Sequence, residues 1–200
     1  MKSFVFALIM AGFFVACEDS STNSTSEPLE AVTVSDLDAS GSNYVFYDLK
    51  NGAVLTLADS NSTKWDIAFK GSAIIVNSAI SGPGTAQAQL VDGLFDEYTE
   101  APATGYLSDS EAGRAIVGSG GWYTYTGNAT SGAQHAILPN AGKIIIVKNT
   151  DGTYSKIQII SYYKGNPNTS SESFINSETR PASRHYTFRF ITQPDGSRIF

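Results

Sequence analysis

With 200 residues and a hydrophobic fraction of 42%, the chain suits one domain of ordinary size with its own core. Charged residues are sparse at 16% and aromatic residues reach 12%, a balance that favours short strands over helices. The net charge of −6 argues against nucleic acid, which needs a basic face, and against electrostatic docking on anionic lipid.

Residues 1–17 have the form of an export leader. Lys2 supplies the positive start, and Phe4–Val15 is an apolar run of twelve residues, shorter than the roughly 20 that span a bilayer. Ala16 before Cys17 is the arrangement of a lipoprotein cleavage site, with the Cys17 thiol as the lipid attachment point. Phe14, three places before the cysteine, stands where an aliphatic residue is usual. The alternative is ordinary cleavage near Ala16 that leaves a free thiol. Several acyl chains on one cysteine give stable anchoring. Cys17 is the only cysteine, so no intramolecular disulfide is possible, and Met1 and Met10 both lie in the leader. Residues 18–28 (EDSSTNSTSEP) cannot build a core and read as a flexible tether. Fully extended, that tether reaches roughly 35 Å. Glu18 and Asp19 have the look of acidic surface-export signals, or are simply part of a polar linker.

From about Leu29 to Phe200 the pattern is that of strands. In KWDIAF, Trp65, Ile67 and Phe69 are expected on one side and Asp66 and Ala68 on the other. Trp65 and Phe69 are read as core. Ala73–Asn77 is a short β-branched run, and Asp92–Tyr98 and Leu107–Gly113 could each hold a helical turn or two. Trp122–Thr126 alternates aromatics with threonines. Lys143–Lys148 and Tyr154–Tyr163 flank Asp151-Gly152, which supplies hairpin chemistry. Arg184–Thr192 is the clearest strand, with Tyr186, Phe188 and Phe190 on one apolar side; Pro194-Asp195-Gly196 then turns the chain into a short final strand. No linker splits this stretch and no internal repeat is evident. The expected fold is all-β, mainly antiparallel sheets with one or two short helices.

Signatures of catalysis are missing: there is no GxSxG, HExxH, CxxC or P-loop. Gly118–Gly121 breaks the dinucleotide pattern, because Tyr123 stands where the third glycine belongs. His135 and His185, the only histidines, cannot make a three-histidine metal site. Adjacent Asp96 and Glu97 would face opposite ways on a strand and look like a solvated surface. The chain is expected not to be an enzyme.

Taken in order, several segments resemble the HmuY family of haem-binding lipoproteins. They are Trp65-Asp66-Ile67-Ala68-Phe69, Asn77, Ser81-Gly82-Pro83-Gly84, Gly120-Gly121-Trp122, His135 with Pro139, the Lys143–Lys148 strand, Thr150-Asp151-Gly152, Tyr154-Ser155-Lys156, Ser161–Gly165 and the Tyr186–Phe190 strand. The resemblance covers nearly all of the chain beyond the tether. It implies an all-β fold, lipid anchoring at the cell surface on the outer membrane, and capture of haem for delivery to a TonB-dependent outer-membrane receptor. Haem is then a cargo, which needs one or two axial ligands and an apolar slot.

The family's ligand positions are not matched: one falls near Gly127, and Tyr98–Gly113 holds no histidine. The candidate iron ligand is instead His135, in the loop GNATSGAQH, since a loop histidine can move to meet a metal. The alternative is a loop imidazole bonded to backbone. His185 is the second candidate; with Arg184 and Arg189 it could meet haem propionates, or it is a solvent-facing strand residue. Trp122, Tyr123 and Tyr125 could stack on a porphyrin, or could be core and cross-strand partners. Two other readings stay open: a family member that binds a ligand without iron ligation, and a structural or adhesive surface protein.

Overall fold

The computed structural model describes residues 29–200; the leader, Cys17 and the tether lie outside them. Eleven strands and one short helix follow in chain order. They are β1 (Val32–Asp38), β2 (Val45–Asp48), β3 (Ala53–Leu55), β4 (Ile67–Lys70), β5 (Ala73–Val76), β6 (Gln87–Asp92), β7 (Tyr123–Tyr125), β8 (Ile137–Pro139), β9 (Lys143–Lys148), β10 (Tyr154–Tyr163), α1 (Glu172–Ile175) and β11 (Ser183–Gln193). One antiparallel sheet runs β1-β11-β10-β9-β6, a second runs β3-β2-β4-β5, and β7-β8 form a separate hairpin. This is the all-β architecture expected from the sequence.

The alternation in β11 shows why the sheets stack. Tyr186, Phe188 and Phe190 are all buried and point into the central core. Phe188 and Tyr186 meet Phe69 of β4 at ring separations of 5.3 and 4.9 Å, and Tyr47 of β2 sits edge-on to Phe188 at 5.5 Å. In β9, Ile145 and Val147 face this core, whereas Ile144 and Ile146 face outward onto Ala101, Tyr98 and Phe200. A strand covered on both sides needs a continuous apolar run rather than alternation, and KIIIVK supplies one. Lys156, on the same outer side, is also buried; its ammonium donates to the carbonyls of Phe95 and Tyr98, both at 2.8 Å, and burial lowers its pKa.

Three local expectations are corrected. Trp65, expected beside Ile67 and Phe69, packs on the opposite face with Phe46, Ala68 and Ile75, because it precedes β4, which begins at Ile67, and alternation holds only within a strand. Residues 107–113 are not helical: Leu107 exchanges both backbone hydrogen bonds with Ala88 at 2.9 Å, and Ser110 and Gly113 close a tight turn on each other at 2.9 and 3.1 Å. The final segment makes only a single bridge, Ile199 to Glu100, instead of a strand. Residues 94–98 do close one turn, through Tyr98 N–H to Leu94 C=O at 2.9 Å. The helix that forms, α1, starts where the Ser171 side chain accepts from the Phe174 N–H, a capping arrangement.

Asp66 is buried, with its carboxylate accepting from the Leu49 N–H at 3.0 Å and the Thr150 N–H at 2.9 Å. It thereby ties β4 to both the β2–β3 turn and the β9–β10 turn. Burial pushes its pKa up from 3.8 to about 6, against the pull of those two donors. A raised pKa means that the folded protein holds a proton which the unfolded chain has released. The associated stability is therefore fully present below 3.8 and lost as pH rises through about 6. Between about pH 7.5 and about pH 5 the domain is expected to gain on the order of 1 kcal/mol. Urea midpoints across that range would show the gain. Asp66→Asn, which cannot titrate, should flatten the slope; an unchanged slope would assign it to another group.

Candidate functional site

The two sheets each leave one strand, β5 and β6, at the same side of the stack. The segment 107–118 crosses that opening. It pairs with β6 through Leu107 and Ala88, and it reaches β5 through Asp109, whose Oδ2 accepts from the Val76 N–H at 3.1 Å. An edge strand's unpaired backbone groups must be covered, and this segment covers both.

Asp109 organises the segment. It is fully buried, its Oδ2 also accepts from Ser81 Oγ at 2.7 Å, and its Oδ1 accepts from the Ala115 N–H at 2.8 Å. Its own N–H donates to Ser78 Oγ at 3.3 Å. Arg114 Nη1 donates to Ser81 Oγ and stands 3.6 Å from Asp109 Oδ2, while the Arg114 side chain stays 42% exposed. The segment then turns back at Val117–Trp122. Trp122 N–H donates to Val117 C=O at 3.0 Å and Gly121 N–H to Gly118 C=O at 2.9 Å. A Cβ on Gly121 would lie 2.2 Å from that same Val117 carbonyl oxygen, which is why Gly-Gly-Trp has glycine there.

Between this segment, β5 and the β7–β8 hairpin lies a cleft of about 650 Å³, within the range of about 300–1,000 Å³ usual for ligand sites. Ile74, Leu107, Ile116 and Val117 make it predominantly apolar, and Arg114 and Tyr123 are its polar side chains of note. Leu107 and Val117 are large aliphatics left 58% and 53% exposed, beside an apolar wall that a ligand could cover.

The hairpin carries the candidate histidine. Tyr123 and Tyr125 are two residues apart on β7, so they face the same side about 7 Å apart. Tyr123 lines the cleft, and Tyr125, half exposed, lies beyond it. The Tyr125 hydroxyl sits 2.7 Å from His135 Nδ1. His135 is exposed, with a left-handed backbone (φ 50°), in a loop that also contains Gly127 and Gly132 at positive φ. With Nδ1 engaged, Nε2 is the nitrogen left for a metal, the division of labour common in metal-ligating histidines. His135 does not line the 650 Å³ cleft. It borders a smaller hollow of about 350 Å³ with Ile175 and Arg180.

The other candidates lie elsewhere. Trp122 is 2% exposed and packs on Tyr123, Tyr162 and Tyr186, so it has no free face for a porphyrin and is a core residue. Arg189, on the outer face of the five-stranded sheet, holds Asp96 with two bonds of 3.0 Å and Gln158 with one of 2.9 Å. It also covers the Phe95 ring, so its guanidinium is already occupied. His185 is partly buried, its Nδ1 lies 3.0 Å from the Ser183 carbonyl and its Nε2 3.8 Å from Asp38. His185 and Arg189 are thus committed to separate partners rather than gathered into one anion site. Among the described residues no group of three or more His, Cys, Asp or Glu side chains is poised to hold a metal ion.

Nothing in local sequence pattern singles out Asp109 or Arg114. Both sit in SDSEAGRA, a stretch as polar as any solvated loop. The one available signal was a lone arginine running straight into Ala-Ile-Val in a charge-poor chain.

Comparison with known proteins supplies the family. The HmuY protein family model matches residues 40–175, which includes the whole 107–118 segment and the β7–β8 hairpin. Apo PinO from Porphyromonas gingivitis is similar in structure, with a TM-score of 0.51 at 12% identity over 83% of this chain and 97% of that one. The apo HmuY analog of Tannerella forsythia aligns with a TM-score of 0.47 at 17% identity, over 84% of this chain and 96% of that one. No curated protein matches the sequence of this chain. The family match spans well over half of the chain, and the chain belongs to the HmuY family.

Proposed function

We propose that this protein captures haem in the cleft between the 107–118 segment and the β7–β8 hairpin. The observation that carries this reading is membership of the HmuY family over residues 40–175. The apolar cleft of about 650 Å³ beside the hairpin gives the macrocycle somewhere to lie. Tyr123 would form one wall. His135 would supply an axial ligand through Nε2, with Tyr125 orienting the ring from Nδ1. Reaching a haem in the cleft requires the 127–135 loop to move inward, and Gly127 and Gly132 give that loop the backbone freedom. Anchored through lipid on Cys17 and held off the outer membrane by residues 18–28, the domain would pass its cargo to a TonB-dependent receptor. Haem in this scheme is cargo, not a resident cofactor.

Titrating the domain with haemin tests the reading. A sharpened Soret band with saturable binding at micromolar haemin is expected. His135→Ala should weaken binding on the order of tenfold or more, the loss of about 1.4 kcal/mol, and shift the band. No spectral change with the unaltered domain would remove the haem claim.

A second reading has one observation in its favour. Among the described residues no imidazole, thiol or thioether lines the cleft itself, which suits a ligand bound without iron coordination. Under that reading His135→Ala changes nothing.

A further inference from the structure

We infer that Arg114 is the carboxylate anchor of the cleft, so that the cleft selects flat apolar ligands bearing a carboxylate whether or not they hold iron. The inference rests on the cleft being the ligand site. Among the described residues that line the cleft, Arg114 is the only cation. One edge of its guanidinium is fixed: Nη1 donates to Ser81 Oγ and faces Asp109 Oδ2 at 3.6 Å. Ser81 and Asp109 are in turn fixed to each other and to the β5 edge. The other edge, Nε and Nη2, has no protein partner among the described residues, and the side chain remains 42% exposed.

A guanidinium held by one edge beside an aliphatic wall is pre-organised for a carboxylate, because the planar fork can pair with two oxygens at once. Its exposure keeps the ion pair wet enough to avoid the full desolvation cost of a buried pair. Leu107, Ile116 and Val117 then cover the apolar body of the ligand while the carboxylate reaches the cleft mouth. Arg180, near His135, offers no equivalent: its Nε and Nη2 already donate to the Phe174 and Ile175 carbonyls. Asp109 is a positioning residue here, acting on the ligand only through Arg114 and the segment it holds.

Three probes separate the contributions: haemin, iron-free protoporphyrin, and the dimethyl ester of iron-free protoporphyrin. Arg114→Gln should weaken both free acids on the order of tenfold, about 1.4 kcal/mol, and leave the ester unchanged. Arg114→Lys should recover part of the loss. His135→Ala should affect haemin alone. Thermal melting of each variant controls for folding, since Arg114 is a surface side chain whose loss leaves Asp109 its other donors. If Arg114→Gln binds haemin and iron-free protoporphyrin as the unaltered protein does, the anchor is disproved while the haem reading stands. If iron-free protoporphyrin fails to bind and haemin binds, recognition runs through iron and the inference falls. If the unaltered protein binds none of the probes, the haem reading itself fails and takes the inference with it.

Discussion

Asp109→Ala is expected to destabilise the domain by several kcal/mol and to abolish haemin binding together. The carboxylate is fully buried and receives the Val76 N–H, the Ala115 N–H and the Ser81 hydroxyl. Alanine leaves the two backbone donors without a partner, and each buried unsatisfied group costs about 1–3 kcal/mol. It also removes the acceptor beside the Arg114 guanidinium. The summed cost of about 2–6 kcal/mol should lower the melting temperature by about 5 °C or more in a domain of this size. Asp109→Asn keeps one acceptor oxygen and should fall between the two. Melting curves for the three proteins check this. An alanine variant that melts with the parent would mean that the 107–118 segment is held by its aliphatic contacts instead.

Gly121→Ala is the second large effect. The new methyl would stand 2.2 Å from the Val117 carbonyl oxygen and 2.8 Å from the Val117 carbonyl carbon. Both are backbone atoms locked into the turn by the Trp122 N–H to Val117 bond, so neither can swing aside as a flexible side chain would. The turn must open, which displaces Val117 and Gly118 from the cleft wall and loosens Trp122 above the central core. Overpacking of this kind costs about 1–3 kcal/mol and occasionally more. Gly120→Ala is the natural control. That glycine has φ 78° but open space around its missing side chain, so only the left-handed backbone penalises alanine, by about 1–2 kcal/mol. The expected order of haemin affinity is parent, Gly120→Ala, then Gly121→Ala. Equal behaviour of the two variants would show that conformation, not close approach, sets the glycine requirement.

Much of the architecture was written in short-range pattern. The β11 alternation of Tyr186, Phe188 and Phe190 and the continuous run of β9 each announced a strand, and the Asp151-Gly152 turn announced their neighbour. Strands β1, β2, β3, β6 and β8 did not stand out, because they are short or polar and are strands mainly by virtue of their partners. Trp65 misleads for a related reason: alternation holds only within a strand, and β4 begins at Ile67. Residues 107–113 read as a helical turn through Ser, Glu and Ala, yet Leu107 pairs with β6, Asp109 reaches β5 and Ser110–Gly113 close a tight turn instead.

The site was less legible than the fold. His135 and Tyr123 are residue types capable of meeting a haem, but their arrangement around Tyr125 depends on a hairpin of which only β7 shows in the alternation of Trp122–Thr126. Arg189 and Trp122 had the right chemistry but are occupied by Asp96 and by the core. Asp109 and Arg114 are five residues apart in sequence and matter only because each meets Ser81, about thirty residues earlier in the chain, a contact that tertiary structure alone creates.

The crystal structure of the domain grown with haemin is the most direct test of the proposed haem site. The macrocycle is expected in the cleft against Tyr123, with a propionate at Arg114 and His135 Nε2 drawn toward the iron. A haem found on any other surface, with this cleft empty, would contradict it.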